Sequence, residues 1–326
     1  MTHTYWSITT KVLLTFVLLT CSSWGFFAHK SINKHAVFSL PKGMIRFYKS
    51  NIDFISAHAV DPDKRRYADS LEAPRHFLDA DCYGDHPFDD IPQKWNLAVV
   101  KYSEKTLLKN GIVPWQIEKT YGALVKAFIA KDSVRILRLS ADLGHYIADA
   151  HVPLHTTKNH NGQLTKQVGI HGFWESRLPE LFSDQYNYVV GPARYIKNPL
   201  SEAWKIIRNT FQYKDSVLLI EARLNNQFPA DRKYEFSKKR KGKLKKQYSE
   251  EYSNAYHVAL NGMVERQMRA SILAVASFWY SAWVDAGQPK LTGFKSDILI
   301  TEDRESIKKE SRSYRKGKII GREEPH

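Results

Sequence analysis

Several long segments of the chain repeat apolar residues every three or four positions, which is the spacing of one face of an α-helix. The clearest case is the segment 114–131, whose apolar face consists of Ile117, Tyr121, Leu124, Val125 and Phe128. Residues 25–38, 133–150 and 251–285 have a similar period, and the last of these ends in an almost wholly apolar run. The pattern predicts an all-α fold, organised as a single-domain bundle of many helices.

Residues 1–23 have the pattern of an export signal. A cationic residue precedes the apolar run VLLTFVLLT, and small residues follow that run. Because the run is too short to span a bilayer, we expect a signal peptide that is cleaved immediately before Trp24, leaving a periplasmic or secreted protein. The alternative is a lipoprotein anchored at Cys21, but Thr20 precedes this cysteine where a smaller residue would be expected.

The remainder of the chain divides into one domain and a tail. Residues 24–287 contain the helical periodicity, and we expect them to form the functional domain. Gly287 and Pro289 flank the start of residues 288–326, which have mixed charge and contain few aromatic residues. This composition predicts a charged tail of the kind that is often disordered.

Charge is concentrated in one segment of this basic chain. The formal net charge is +15, and residues 231–246 contain nine Lys or Arg against two Asp or Glu. A run of this kind is usually a solvated loop. The functional alternative is a contact with a polyanion or with an anionic membrane surface, and charge alone does not distinguish these two. No protein partner is predicted.

The segment 143–157, LGHYIADAHVPLHTT, combines histidines with a carboxylate in an apolar setting. His145 and Asp149 are four residues apart, so they project from the same face of a helix. Pro153 is expected to end this helix, which places His155 just beyond its end. These three residues offer the nitrogen and oxygen donors that zinc takes in proteins.

The same spacing recurs in the segment HGFWE, where His171 and Glu175 share a helical face. One such pair is more often structural than metal-binding, but two pairs close together in the chain favour a metal site. Further candidates lie upstream, and they are His29, Asp61, Asp63, His76, Asp79 and Asp81. The mature N-terminus at Trp24 would add an amino group and a carbonyl oxygen.

Together these motifs resemble the zinc-dependent phospholipase C / S1–P1 nuclease superfamily. The resemblance lies in Trp-x4-His at the mature N-terminus, an Asp followed by His-Phe-x-Asp, then His-x3-Asp-x5-His and His-x3-Glu. The chain has these motifs in this order within residues 24–180. The resemblance implies a helical bundle of the phospholipase C/P1 nuclease type.

The resemblance also implies three zinc ions and a ligand set for each. The set for the first ion is Asp63, His76, His145 and Asp149. The set for the second ion is His155, His171 and Glu175. The set for the third ion is Trp24 and His29, with Asp149 bridging to the first ion. Asp61 remains an alternative to Asp63, because the gap from Asp63 to His76 is shorter than expected for the nucleases.

In this superfamily, clustered zinc lowers the pKa of bound water and neutralises charge on the phosphoryl oxygens. The resemblance therefore implies hydrolysis of P–O ester bonds by metal-activated hydroxide, with no covalent intermediate. Asp63 and Asp149 hold the ions, and Arg66 resembles the family arginine that stabilises the transition state. Phe77 and Asp79 match the residues that stack on and hydrogen-bond to a base in the nucleases.

Two substrate classes and one non-enzymatic alternative follow. One class is an S1/P1-type nuclease that acts on single-stranded nucleic acid. It is favoured by Arg66, by the P-L-H of residues 153–155 and by the excess of basic over acidic residues. Glu175 is the acid of the phospholipase C branch, which cleaves phospholipid head groups and is the alternative. A non-catalytic exported protein stabilised by zinc is disfavoured, because the three-residue second set leaves a coordination position open.

Overall fold

The computed structural model of the protein describes residues 26–238 and 244–291, together with Arg312. Most of these residues are helical, and the strands among them form one small antiparallel sheet. The all-α fold predicted from the sequence is confirmed. The predicted signal peptide, Trp24 and nearly all of the predicted tail lie outside the described residues. No helix in the described part of the chain is long and apolar enough to cross a membrane.

The helices up to residue 150 form the first half of the bundle. They are α1 (Phe26–Ala36), α2 (Lys42–Ser50), α3 (Ile52–His58), α4 (Asp61–Arg65), α5 (Pro87–Asp90), α6 (Trp95–Tyr102), α7 (Glu104–Asn110), α8 (Val113–Ile129) and α9 (Ser133–Ala150). Short 3₁₀ turns in this half are Val37–Ser39, Ala73–His76 and Ala80–Cys82. The bounds of α8 and α9 agree closely with the helical segments expected from the apolar spacing.

The second half contains shorter helices, a π-helical turn and a β-hairpin. The α-helices are α10 (Ile170–Gly172), α11 (Leu178–Phe182), α12 (Pro199–Phe211), α13 (Lys214–Gln227), α14 (Glu250–Ala259) and α15 (Met263–Asp285). The π-helical turn Phe173–Arg177 connects α10 to α11 without a break. The 3₁₀ turns are Pro153–Thr156, Ser183–Gln185 and Ala230–Arg232, and the strands are β1 (Tyr234–Lys238) and β2 (Leu244–Tyr248).

The core is centred on α9, which packs against α8, α15 and α1. Trp279 of α15 is completely buried, and its indole N–H donates to the carbonyl oxygen of Ser140 at 2.9 Å. All residues from 143 to 150 are buried, including His145 and Asp149. Because helices surround this end of α9, its polar side chains must find their partners inside the protein.

Two segments differ from the sequence-based expectations. The segment 251–285 is divided into α14 and α15 at Asn261 and Gly262, whose φ angles are 48° and 71°. These left-handed conformations interrupt the helical hydrogen-bond ladder, and a glycine adopts them without steric cost.

The basic segment 231–246 also differs, because it contains a β-hairpin in place of the expected solvated loop. β1 pairs antiparallel with β2, and Tyr234 lies opposite Tyr248. The two tyrosine rings are 5.1 Å apart between centroids. Cross-strand aromatic pairs stabilise antiparallel strands, which explains why this charged segment is ordered at its base. The connecting residues 239–243 lie outside the described part of the chain.

Candidate metal centre

The first group of candidate ligands assembles around the buried end of α9. His145 Nε2 lies 3.2 Å from Asp149 Oδ2, as expected for residues one helical turn apart. His76 ends a 3₁₀ turn, and its Nδ1 lies 2.9 Å from Asp149 Oδ2 and 3.0 Å from His145 Nε2. Asp63 of α4 has its Oδ1 3.8 Å from His145 Nε2. We call Asp63, His76, His145 and Asp149 the first group.

The second group consists of His155, His171 and Glu175. His155 lies in the 3₁₀ turn that follows α9, and its Nε2 is 2.9 Å from His171 Nε2. Glu175 Oε2 is 2.8 Å from His171 Nε2 and 3.4 Å from His155 Nε2. His171 is in α10 as a helical residue, whereas Glu175 lies in the π-helical turn rather than in the expected α-helix. Such turns occur often at functional sites, and here the wider turn still brings both side chains together.

His29 of α1 connects the two groups. Its Nε2 lies 3.1 Å from Glu175 Oε1 and 3.4 Å from Asp149 Oδ1. Its ring stacks on that of His145 with a centroid separation of 4.1 Å. Trp24, the other residue of the predicted third set, lies outside the described residues. Of the third predicted ligand set, the structure therefore brings His29 and Asp149 together.

The donor atoms have the chemistry that zinc requires. Three sets of three residues each have donor atoms within 4.8 Å of one another. The sets are His29, His145 and Asp149; Asp63, His76 and His145; and His155, His171 and Glu175. Two imidazole nitrogens about 3 Å apart repel unless a proton or a cation lies between them, and zinc binds such nitrogens at about 2.0–2.1 Å. Nitrogen and carboxylate oxygen donors are those of protein zinc sites.

An unsatisfied oxygen at the centre supports the same interpretation. Asp149 Oδ1 is buried and accepts no hydrogen bond from the described part of the chain. A desolvated carboxylate oxygen without a donor is costly, so such an atom usually faces a cation or water. It lies 3.4 Å from His29 Nε2 and 3.8 Å from His155 Nδ1, between the two groups. The residues present therefore fit a cluster of metal ions.

Backbone carbonyl groups orient two of the imidazoles. His145 Nδ1 donates to the carbonyl oxygen of Ala59 at 2.8 Å, and His155 Nδ1 donates to the carbonyl oxygen of His76 at 2.7 Å. A carbonyl oxygen can only accept, so Nδ1 carries the hydrogen in both rings. This tautomer leaves each Nε2 as a lone-pair donor that points into the cluster.

The buried carboxylate of Glu72 supports His76 from behind and was not identified from the sequence. Its Oε1 lies 3.5 Å from His76 Nε2, and it also accepts from the hydroxyl of Tyr146. Its other oxygen pairs with Arg65 and Arg75. Burial alone would raise the pKa of Glu72, but its pairing with His76 and the charge of Arg65 outweigh burial and lower this pKa. The spacing from Glu72 to His76, again four residues, is the signal that could have revealed it.

In the metal-free protein, neighbouring carboxylates raise the pKa of two candidate ligand histidines, His29 and His76. Burial alone would lower the pKa of His29, but its hydrogen bond to Glu175 and the charge of Asp149 raise this pKa to about 9. Burial likewise opposes protonation of His76, but Asp149 and Glu72 raise its pKa to about 9. Metal ligation requires neutral imidazole, so metal ions must displace these protons.

The two candidate aspartates near Arg66 have different surroundings. Asp61 pairs with His58 at 2.5 Å and with Lys64 at 2.7 Å, and it is absent from the groups of candidate ligands within the described residues. Asp63 faces His76 and His145, and its Oδ1 lies 4.0 Å from Arg66 Nη1. The geometry therefore favours Asp63 as the ligand and places the Arg66 guanidinium at the edge of the first group.

Phe77 and Asp79 lie on the segment that runs from His76 past His155. The Leu78 N–H donates to the carbonyl oxygen of His155 at 2.9 Å, which fixes this segment beside the second group. Gly111 allows the close packing, because a Cβ there would lie 2.1 Å from the carbonyl oxygen of Phe77. Both side chains are buried, so little of the ring is exposed for stacking. Their substrate-binding roles stay predictions.

The fold and the cluster define a helical protein that gathers histidines and carboxylates around two adjoining sites suited to metal ions. A family model described as zinc dependent phospholipase C matches residues 28–238. The chain belongs to this family, and the resemblance stated from its motifs is confirmed. It is therefore a zinc-dependent phosphoric diester hydrolase. Comparison with individual curated proteins gave no match.

Proposed function

We propose that the protein is a phospholipase C, which hydrolyses the phosphodiester that joins a phospholipid head group to its diacylglycerol. The family match is to phospholipases C and covers most of the region that contains the candidate ligands. Glu175, the acid of the phospholipase branch, supports the same assignment. These observations favour phospholipase C over a nuclease that acts on single-stranded nucleic acid, which the excess of basic residues and Arg66 favoured.

The proposed enzyme holds three zinc ions. Asp63, His76, His145 and Asp149 would hold the first; His155, His171 and Glu175 the second; and Trp24 and His29, with Asp149 bridging, the third. When bound, zinc activates water at neutral pH and neutralises charge on the phosphoryl oxygens. The buried position of Asp149 between the two groups supports its role as the shared ligand.

The surrounding residues would orient the substrate and its ligands. Arg66, at the edge of the first group, would donate charge-assisted hydrogen bonds to a phosphoryl oxygen. Asp63 would hold both a metal ion and the guanidinium of Arg66, because its Oδ1 faces His145 on one side and Arg66 on the other. Glu72 would keep Nδ1 of His76 directed into the cluster.

Export forms part of the proposal, because the third set needs Trp24 as the first residue of the mature chain. Cleavage immediately before Trp24 would release the amino group, and the protein would act in the periplasm or outside the cell. Sequencing the N-terminus of the mature protein tests this directly. A mature chain that retains residues before Trp24 would contradict the third set while leaving the first and second groups intact.

The observation that carries the proposal is that eight of the nine predicted ligand residues converge within a chain of the phospholipase C family. The test measures release of phosphocholine from phosphatidylcholine and cleavage of single-stranded DNA and RNA, each with chelator and after zinc is restored. We expect zinc-dependent lipid hydrolysis, little nuclease activity and three zinc ions per chain.

A matched pair of histidine variants provides the control. His171→Ala removes a second-group residue and should abolish lipid hydrolysis. His257→Ala should retain it, because His257 bonds to the Tyr186 hydroxyl at 2.8 Å, outside the groups of candidate ligands found among the described residues. Nuclease activity without lipid hydrolysis would restore the nuclease hypothesis. Bound zinc without turnover of either substrate would support the non-catalytic alternative.

A further inference from the structure

The β-hairpin presents apolar and cationic side chains together. Phe236 and Lys246 are paired across the strands, and Leu244 lies two residues from Lys246, so all three project from the same face. Phe236 is 68% exposed and Leu244 is 65% exposed. Lys246 is also exposed. We call these three side chains the hairpin face. Apolar side chains grouped at a surface commonly mark a contact with a partner or a membrane.

The charge around the hairpin face complements an anionic surface. Residues 231–246 contain nine Lys or Arg against two Asp or Glu, counting the connecting residues by sequence alone. Lys246 Nζ lies 4.0 Å from the centroid of the Tyr234 ring, which holds this cation beside the apolar pair. Basic residues next to exposed Phe and Leu are typical of segments that bind the interface of anionic membranes. A nucleic acid backbone would use the charge but would leave the aliphatic Leu244 without a role.

The base of the hairpin is attached to the turn that carries Glu175. Tyr248 stacks on Phe173 with ring centroids 3.8 Å apart. Arg177 donates to Glu235 Oε1 at 2.8 Å. Phe173 and Arg177 are the first and last residues of the π-helical turn, and Glu175 lies at its centre. Any partner surface that binds the hairpin is therefore held at a fixed position relative to the second group of candidate ligands.

A second set of contacts anchors the other side of the hairpin. Lys233, which precedes β1, pairs with the buried Glu221 of α13 at 2.9 Å. Glu221 also accepts from the Tyr252 hydroxyl at 2.7 Å and from Gln167 at 2.6 Å. Buried charges paired in this way resist displacement. The hairpin is thus fixed to the domain at its base while Phe236, Leu244 and Lys246 face solvent.

We propose that the hairpin face docks the enzyme on the surface of an anionic phospholipid membrane. Phe236 and Leu244 enter the head-group region, and Lys246 beside them contacts lipid phosphates. The benefit to catalysis rests on the proposed phospholipase function, because the substrate would lie in the same surface. Binding itself requires no hydrolysis, so the two proposals can be tested separately.

The test compares vesicle binding by the zinc-loaded wild type with that of F236S/L244S. A matched control, V100S/V189S, removes two exposed apolar side chains outside the hairpin. Co-sedimentation is measured with vesicles of phosphatidylcholine alone and with added phosphatidylserine. We expect tighter binding to the anionic vesicles, weakened by salt, and a loss of about tenfold in F236S/L244S but not in the control.

Two activity measurements separate this inference from the proposed function. Hydrolysis of the soluble monomer p-nitrophenylphosphorylcholine should be the same in wild type and F236S/L244S, whereas hydrolysis of vesicle lipid should fall with vesicle binding. If no substrate is hydrolysed, the proposed function fails, but the vesicle-binding comparison still decides the role of the hairpin. Equal vesicle binding by both proteins would overturn the inference. So would preferential binding of single-stranded DNA that the double substitution removes, which would assign the face to nucleic acid.

Discussion

The two groups of the metal centre use the same residue types in different surroundings. In the first group, the side chains of His145 and Asp149 are 0% and 1% exposed. In the second group, those of His155 and His171 are 11% and 14% exposed. Two residues of the first group, His145 and Asp149, lie on the long central α9, whereas the second group lies on a 3₁₀ turn, the short α10 and a π-helical turn. Burial of the histidines and the carboxylate behind His76, rather than ligand type, distinguish the two groups.

This difference divides the same centre into one half whose histidines are more buried and one half whose histidines are more accessible. His76 is backed by the carboxylate of Glu72, whereas His155 of the second group, like His145, is backed by a backbone carbonyl oxygen. Residues that lie behind metal ligands in this way raise metal affinity and fix ligand orientation. We therefore expect the first group to hold its metal more tightly, and the second group to exchange metal and admit substrate more readily. Asp149 joins the halves and should be the most sensitive position.

Asp149→Asn should have the largest effect, because this carboxylate faces His76 and His145 through one oxygen and His29 through the other. The substitution removes the negative charge that both halves share. We expect activity to fall by roughly 10³-fold, equivalent to about 4 kcal/mol of transition-state stabilisation. Zinc content, measured by elemental analysis, should fall at more than one site. Loss of a single ion with activity retained would show that the halves are independent.

The pair Asp63→Asn and Asp61→Asn sharpens the definition of the first group. Asp63 faces His145 and His76, whereas Asp61 is held by His58 and Lys64. We expect Asp63→Asn to lower activity by roughly 10²-fold and to remove one zinc ion, since a charged ligand becomes neutral. Asp61→Asn should keep the full zinc content. The reverse result in zinc analysis would make Asp61 the ligand.

Glu72→Gln tests whether the support behind His76 distinguishes the two halves. The substitution keeps the shape but removes the charge that orients and polarises the imidazole. Changes at residues behind metal ligands commonly cost about 10–100-fold in affinity, and we expect this loss at the first group only. Competition with a coloured zinc chelator measures the affinity of each site. An equal loss at the second group would indicate general destabilisation, which thermal unfolding of the zinc-free variant would reveal.

The smallest predicted effect is a pH dependence of zinc affinity. His29 and His76 have pKa values of about 9 in the folded metal-free protein, raised from 6.5. Their protonated forms stabilise the metal-free fold below pH 6.5, and this contribution is lost as the pH rises through 9. Zinc competes with the same protons, so its affinity should rise across this window and level off above it.

Calorimetry in buffers with different ionisation enthalpies measures the protons released on zinc binding. We expect proton release near neutral pH and little above pH 9. Glu72→Gln should lower the pH at which His76 releases its proton and leave that of His29 unchanged, because Glu72 contributes to the raised pKa of His76 but not to that of His29. Zinc affinity that is independent of pH between 6.5 and 9 would contradict the assignment of protonated histidines to the metal-free centre.

The sequence by itself determined the helical fold and the local pairs within the metal centre. The apolar spacing predicted α8 and α9 almost to the residue, because helical period is a property of the local chain. The four-residue spacing likewise brought His145 beside Asp149 and His171 beside Glu175. Motif order then identified the family, since these pairs recur with characteristic gaps.

Only the tertiary structure decided how distant segments meet. His76 reaches Asp149 across 73 residues, and His29 reaches Glu175 across 146, so no local period could place them. The same holds for the support of His76 by Glu72, which depends on a buried network, and for the hairpin, whose strands are stabilised by an aromatic pair and by packing against the π-helical turn. Local geometry is set by covalent spacing, whereas these contacts form only when burial of the core brings remote helices and turns together.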